Sequence, residues 1–375
     1  MIAGILKEQT GEYRVSCIPD QAEVLIKKGI TVYLETSAGV NAFAADTHYM
    51  AKGAIVKSRN DILSNTDLLL SIQPLNANDI ALLKPGAVII GVYHPLFNVQ
   101  LVQQLAAKNI TTFSMDMLPR TTRAQSMDVL SSQANIAGYK AVILAASLFP
   151  KYFPMFITAA GSIPPAKVLI LGAGVAGLQA IATARRLGAV VQVFDTRTAV
   201  KEEVMSLGAK FIEVEGATDA SVAGGYAVEQ TADYKQQQQD KIAEAAAKAD
   251  IIITTAQIPG KPAPILITEP MLNSMKPGSV IIDLAAATGG NTPKTVNGQT
   301  IHFNQVTIVG DSNLAASLPA DASKLYGKNV LNFLALIIDK EGKFQLNFED
   351  DLVKGTCITY GGDVVNERVK AVIGK

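Results

Sequence analysis

Residues 167–195, KVLILGAGVAGLQAIATARRLGAVVQVFD, constrain the fold more than any other stretch of the chain. An apolar, β-branched run leads straight into Gly172, Gly174 and Gly177, spaced as G-x-G-x-x-G, and then into a helical pattern. The first glycine allows a tight turn, the second lets the backbone approach a diphosphate, and the third lets the helix lie close on the strand. N–H groups at the start of such a helix face phosphate oxygens, helped by the helix dipole. Asp195 ends the next strand, 21 residues past Gly174, where a carboxylate accepts hydrogen bonds from ribose hydroxyls. Glycines also serve plain turns, but here strand, helix, spacing and acid agree, so the stretch predicts a dinucleotide site. A carboxylate at Asp195 repels a 2′-phosphate and so favours NAD(H) over NADP(H). Arg197 argues the other way; we read it as a surface or helix-start residue, with Asp195 holding the ribose position itself. Val175 and Ala176, at the helix start, complete the expected cofactor contacts with Thr196, Ala256 and Leu284.

Around this unit, short β-branched runs alternate with helical patterns along the whole chain, the mark of a parallel α/β architecture. IAGILKE, VYLET, DLLLSIQ, AVIIGVY and TTFSMDM read as one series of strands, with helices near 20–29 and 98–108 between them. A second series runs through KVLILGAG, VVQVFDT, FIEVE, DIIITTA, SVIIDLA and VTIVG. LLKPGAVII (82–90) and SMKPGSVII (274–282) echo each other as helix end and strand entry. The expected fold is therefore α/β: two Rossmann-like, doubly wound parallel-sheet domains joined by long helices. Those helices are expected at roughly 127–149 and 321–339, walling an interdomain cleft, a common place for ligands. The first domain would be discontinuous, 1–126 plus 330–375, and the second would span 127–329. KFQLNFED and GTCITY, after the second helix, read as further short strands, and the Gln run in 229–250 as a solvated helix start.

A chain of 375 residues suits two domains of the usual ~100–200 residues. Lys+Arg and Asp+Glu are 33 each, which gives no electrostatic reason to expect nucleic acid or an anionic membrane as partner. The longest apolar stretches, such as AVILAASLF (141–149), fall short of the ~20 residues that span a bilayer. MIAGILKEQT has no basic segment followed by an apolar one, so no secretory signal is expected. Cys17 and Cys357 form no metal or redox spacing and read as two reduced thiols of a cytosolic protein. With three scattered histidines, they argue against a metal site.

RTTRAQSMDVLSSQAN (120–135) is the other unusual stretch: two arginines, two glutamines, an Asp and three serines leading into a long apolar helix. Gln125, Asp128 and Ser131 recur at spacing three and so line one face of a helical start. That face would hydrogen-bond a nicotinamide carboxamide and orient its C4. Equally, Ser126 with Asp128 or Ser131 would cap free helix N–H groups. The residues alone leave both readings open.

With these motifs in place, the chain closely resembles domain I of the proton-translocating, Re/Si-specific nicotinamide nucleotide transhydrogenases, their soluble NAD(H)-binding alpha component. The likeness covers essentially the whole chain. It is carried by PRTTRAQSMDVLSSQANIAGY (119–139), TAAGSIPPAKVLILGAGVAGLQAIATARRLGA (158–189), AGGYA (223–227), TTAQIPGKPAPILIT (254–268), KPGSVIIDLAAATGGN (276–291) and LYGKNVLNFL (325–334). The resemblance implies that Arg120, Asp128 and Ser131 hold the NAD(H) carboxamide, while Gln125 reaches toward a second nucleotide. It makes Tyr226 part of a mobile loop closing over bound nucleotide, with Gly224 and Gly225 as its hinge; the residues alone would suggest an ordinary exposed tyrosine. It further implies NADP(H) on a partner domain, direct hydride transfer between the two nucleotides, and proton translocation by membrane-spanning subunits. The chain would then be a homodimer attached peripherally to the cytoplasmic face of the membrane through those subunits. Gln257 departs from the family pattern, which has a Leu there, and NAFAADTHYM (41–50) is idiosyncratic.

The alanine dehydrogenases share this fold type and are the rival reading. They hold the keto acid with a Lys ending a K-V-K strand, and use a His soon after and an Asp in V-D-I-A-I-D-Q-G-G. Such chemistry needs a cation for the carboxylate and a proton donor/acceptor at C2. Here Ser71 and Gln73 stand at the lysine positions and Ala287 at that of the Asp; His94 remains, Arg14 is a possible carboxylate ligand, and Asp283 reads as structural. A third reading, an NAD(H)-binding module without catalytic output, would show a degraded Gln/Asp/Ser face, whereas all three residues are present.

Overall fold

The computed structural model describes residues 1–214, 232–258 and 260–374. Gly224, Gly225 and Tyr226 lie outside the described residues. The chain divides into two compact units, Met1–Gln133 with Ala316–Lys375, and Ala134–Ala315.

The first unit is built on an eight-stranded sheet. Its strands run, in spatial order, Asp363–Val364, Cys357–Tyr360, Thr111–Ser114, Val88–Gly91, Leu68–Leu70, Ile2–Ile5, Thr31–Glu35 and Ile55–Lys57. The six earliest in sequence are parallel and ordered 3-2-1-4-5-6, a doubly wound sheet, and the last two join antiparallel at one edge. The second unit carries a seven-stranded sheet: Lys210–Phe211, Val190–Phe194, Lys167–Leu171, Ile251–Thr254, Val280–Asp283, Val306–Gly310 and Gln299–Phe303. All but the last are parallel. Both units therefore show the expected α/β, Rossmann-like architecture.

Side-chain alternation explains why the strands read as continuous apolar runs. Val168, Ile170, Ile251, Ile253, Val280 and Ile282 point into one core, and Leu169, Leu171, Ile252 and Ile281 into another on the opposite face. A parallel sheet covered on both sides is apolar at nearly every position of its central strands. The first unit repeats this with Leu68, Leu70, Val88 and Ile90 against Leu69 and Ile89.

The two long helices are Val129–Leu148 and Pro319–Ile337. The unit boundaries differ from the expected 126 and 330, and the second difference has a clear cause. Tyr326, Val330, Phe333, Leu334 and Ile337 pack into the first unit's core, where the rings of Phe333 and Phe113 meet at 5.4 Å. KFQLNFED forms no strand; one bridge pairs Ile338 with Phe344. Its alternation is real, since Phe344, Leu346 and Phe348 pack on the first core, but no neighbouring strand pairs with the segment. In GTCITY, the helix Asp351–Thr356 runs to Thr356 before the strand begins at Cys357. Both cysteines are buried, which pushes the thiols up to about 12, so neither is a nucleophile at neutral pH.

Candidate functional site

The glycine loop joins the strand Lys167–Leu171 to the helix Val175–Arg186. Its three glycines differ in what surrounds them. Gly172 has φ +105°, and a Cβ there would stand 2.3 Å from Thr255 Oγ1; at Gly177 it would stand 1.9 Å from the carbonyl oxygen of Gly172. Gly174, the helix N-cap, has nothing within 4 Å of that position and no side chain to accept the first N–H groups. Two glycines are thus required by protein contacts, and the third keeps a bare surface at a helix N-terminus. That surface fits an anionic group such as a diphosphate. Val175 is exposed and Ala176 half-buried beside it.

Asp195 is buried at 8% exposure, and four donors converge on its carboxylate. Ala173 N donates to Oδ2 at 2.7 Å, Arg197 N and Nε to Oδ1 at 2.8 and 3.0 Å, and Arg197 Nη2 to Oδ2 at 2.8 Å. Arg197 is therefore more than the surface or helix-start residue expected. It begins a 3-10 turn at Thr198–Val200, but its guanidinium folds back over the acid and offsets its charge. The direct pairing holds the Arg197 guanidinium above its usual range. Thr196 lies half-buried between the two. We expect Arg197→Leu to raise the ratio of NADH to NADPH affinity by about tenfold, equivalent to ~1.4 kcal/mol. Titration with both nucleotides measures it; an unchanged ratio would mean the guanidinium does not offset the charge.

The neighbouring strand ends are held by side chains to which the sequence motifs assign no role. Thr255 Oγ1 donates to Gly172 O at 3.2 Å. Asn291 Oδ1 accepts from Ala256 N at 3.2 Å, while its Nδ2 donates to Ala256 O and Pro264 O at 2.9 and 2.8 Å. Gln257, the departure from the family pattern, donates its amide to Leu284 O at 3.0 Å and so finds a polar partner. Ala256 and Leu284 are thereby fixed through their backbones.

In the first unit, residues 120–131 do not form one helical face. Thr122–Met127 is a 3-10 turn, Asp128 is extended (φ −76°, ψ 92°), and the long helix starts at Val129. Asp128 caps that helix: its Oδ1 accepts from Ser131 N at 2.9 Å and its Oδ2 from Ser131 Oγ at 2.6 Å. The capping reading thus holds for Asp128, with Ser131 as the residue it caps; the hydrogen bonds at Ser126 are made by its carbonyl. Arg120 and Gln125 are exposed. Arg123, given no role from the sequence, anchors the turn on Asp350 (2.6 and 2.8 Å) and Asp351, and holds the Asp350 carboxyl below its usual range.

The residues that bear on the amino-acid dehydrogenase reading have partners of their own. Arg14 donates to Glu12 at 2.7 and 2.6 Å and to Gln133 Oε1 at 2.7 Å, so its guanidinium is engaged where the sequence left it as a possible carboxylate ligand. Ser71 Oγ pairs with Tyr93 OH at 2.9 Å. Asp283 is fully buried and structural, accepting from Ala285 N, Asn291 N and Thr295 Oγ1. His94 has φ +48° and stands 3.6 Å from Asp116. Among the described residues no group of three His, Cys, Asp or Glu is placed to hold a metal.

Beside Arg14, burial pushes the Glu8 carboxyl up to about 7, although Ile72 N and Gln73 N donate to it at 2.6 and 3.1 Å. A raised carboxyl contributes stability below its unfolded value of about 4.5, lost as pH rises through about 7. We expect stability to fall by on the order of 1–3 kcal/mol between pH 4.5 and 8 from this group. Urea unfolding at both pH values should show a flatter dependence in Glu8→Gln; an equal slope would contradict the assignment.

The alanine dehydrogenase/PNT N-terminal domain pattern matches residues 4–137, and its C-terminal domain pattern matches 141–367. An NAD(P) transhydrogenase subunit alpha chain of Rhodospirillum rubrum is 47% identical over 369 residues, covering 96% of each chain. The crystal structure of a transhydrogenase from Sinorhizobium meliloti is 45% identical, with a TM-score of 0.89, covering 97% of this chain and 100% of that one. An L-alanine dehydrogenase structure, 24% identical, shares the fold alone, with a TM-score of 0.83 over 100% of this chain and 99% of that one. By this extent of identity, the chain belongs to the alanine dehydrogenase/PNT family and, within it, to the NAD(P) transhydrogenase alpha subunits.

Proposed function

We propose that the chain binds NAD(H) and exchanges hydride directly with NADP(H) held by a partner domain, coupled to proton translocation by membrane subunits. The observation that supports the nucleotide-binding part of this reading is the bare surface at Gly174, kept open between two glycines whose surroundings are closed; the partner and the coupling rest on the likeness to transhydrogenase alpha subunits. Gly172, Gly174, Val175, Ala176 and Gly177 would hold the diphosphate. Asp195, Thr196 and Arg197 would meet the adenosine ribose, flanked by Ala256 and Leu284. By resemblance, Arg120, Asp128 and Ser131 orient the carboxamide, Gln125 reaches toward the second nucleotide, and Gly225 and Tyr226 close over the first. When bound, the reduced nicotinamide supplies the hydride; the protein's task is to aim it and exclude water. Exchange between two nicotinamides asks no acid or base of the chain.

Among the described residues no helix is long and apolar enough to cross a membrane. By resemblance, proton translocation is assigned to partner subunits, through which this chain would attach to the cytoplasmic face. The homodimer has a candidate surface. Phe156–Thr158 and Gly161–Ile163 pair as a two-stranded ribbon in which every residue is exposed, with Ile157 at 78%. An isolated ribbon of this kind is marginal in water. Ile157→Asp should shift the sedimenting species from dimer to monomer; an unshifted dimer would place the interface elsewhere.

The functional test is reduction of an NAD analogue by NADPH, with this chain alone and then with an NADP(H)-binding transhydrogenase domain. Transfer only in the mixture is expected. Failure of the mixture, with alanine-dependent NAD reduction by this chain alone, would reverse the reading.

A further inference from the structure

The motif LYGKNVLNFL (325–334) lies in the helix Pro319–Ile337, and its Tyr, Val, Phe and final Leu are core residues. Its two asparagines are not explained by packing. Asn329 and Asn332 are three residues apart and so share a helix face. Both side-chain amides donate to one atom, the carbonyl oxygen of Ser126, each at 2.8 Å. Ser126 stands between Gln125 and Asp128, and the turn's own bond there, Asp128 N to Gln125 O, is long at 3.4 Å. Gln133 adds a second tether to the same helix through Ala322 O at 3.1 Å. Asn329 is only 8% exposed, yet its Oδ1 has no hydrogen-bond partner among the described residues. A buried carbonyl left unmet is destabilising, so an apolar residue of similar shape would serve packing better.

We propose that Asn329 and Asn332 are positioning residues for hydride transfer: they chelate Ser126 O and so fix how Gln125 and Asp128 are presented. This rests on the orienting role proposed above for that turn. Because both donors share one acceptor, either alone retains some of the restraint, and loss of both releases it.

The test uses the full chain mixed with the NADP(H)-binding domain and measures transfer rate, NADH affinity and Tm for Asn332→Leu, Asn329→Leu and the double variant. Asn332 is the fold-safe site, being half-buried at the turn's rim. Each single variant is expected to slow transfer by about tenfold and the double variant by more than the product, beyond the ~100-fold that an ångström of misplacement costs. NADH affinity should stay within about twofold, and Asn332→Asp should fall below Asn332→Leu because it sets a carboxylate against a carbonyl. Transfer at the parent rate in all variants overturns the proposal, as does loss of NADH affinity and Tm in parallel with rate, which marks a structural role. A parent chain that never transfers hydride with the partner domain overturns the functional reading, and this inference with it.

Discussion

Gly174→Ala is expected to fold like the parent chain, with Tm close to the parent's, and to bind NADH about 10- to 100-fold more weakly. The expectation follows from the contrast among the three loop glycines. A methyl at Gly174 meets nothing within 4 Å and its backbone (φ −78°, ψ −169°) suits any residue, so folding should lose only the ~0.5 kcal/mol by which glycine outranks alanine as an N-cap. It would intrude instead on the surface assigned to a diphosphate, where overpacking costs roughly 1–3 kcal/mol. Gly177→Ala reverses the pattern. Its methyl would lie 1.9 Å from a backbone carbonyl that cannot turn aside, so stability should fall by about 3 kcal/mol and binding with it. Thermal unfolding and NADH titration of the two variants settle the matter. If Gly174→Ala bound NADH as tightly as the parent, the bare surface would not be where the nucleotide lies.

The second large effect is expected at Asp128, where capping and catalysis separate cleanly. Asp128→Asn keeps an oxygen to accept from Ser131 N, and asparagine caps helices as well as aspartate does. Stability should then be close to that of the parent, whereas Asp128→Ala should lose about 1 kcal/mol. If Asp128 serves only the helix, Asp128→Asn transfers hydride normally. If it also orients the nicotinamide, both variants lose on the order of 100-fold in transfer rate, since small misplacements of reacting groups are costly. We expect the latter, and a normal rate in Asp128→Asn would return the residue to a capping role. Gln125→Asn, shortening an exposed side chain, should slow partner-dependent transfer alone.

Much of this molecule is legible before its structure. Strands buried on both faces are apolar nearly throughout, so runs such as VLIL, IIIT and VIID announce themselves. The short edge strand Ile55–Lys57 and the exposed ribbon at 156–163 escape a sequence reading because three residues carry no readable period. KFQLNFED misleads for the opposite reason: its alternation is that of a strand, but pairing depends on a neighbour that the sequence cannot supply.

The sequence by itself determined the two doubly wound units and the glycine loop, because burial patterns and turn sterics are local properties of neighbouring residues. Only the tertiary structure decided how the polar groups are spent. It engaged Arg14 with Gln133, set Arg123 on the carboxylate of Asp350, and brought Asn329 and Asn332 to the carbonyl of Ser126 from 203 and 206 residues away. A hydrogen bond depends on distance and direction in space, and neither is written in the spacing of residues that meet only after the chain has folded.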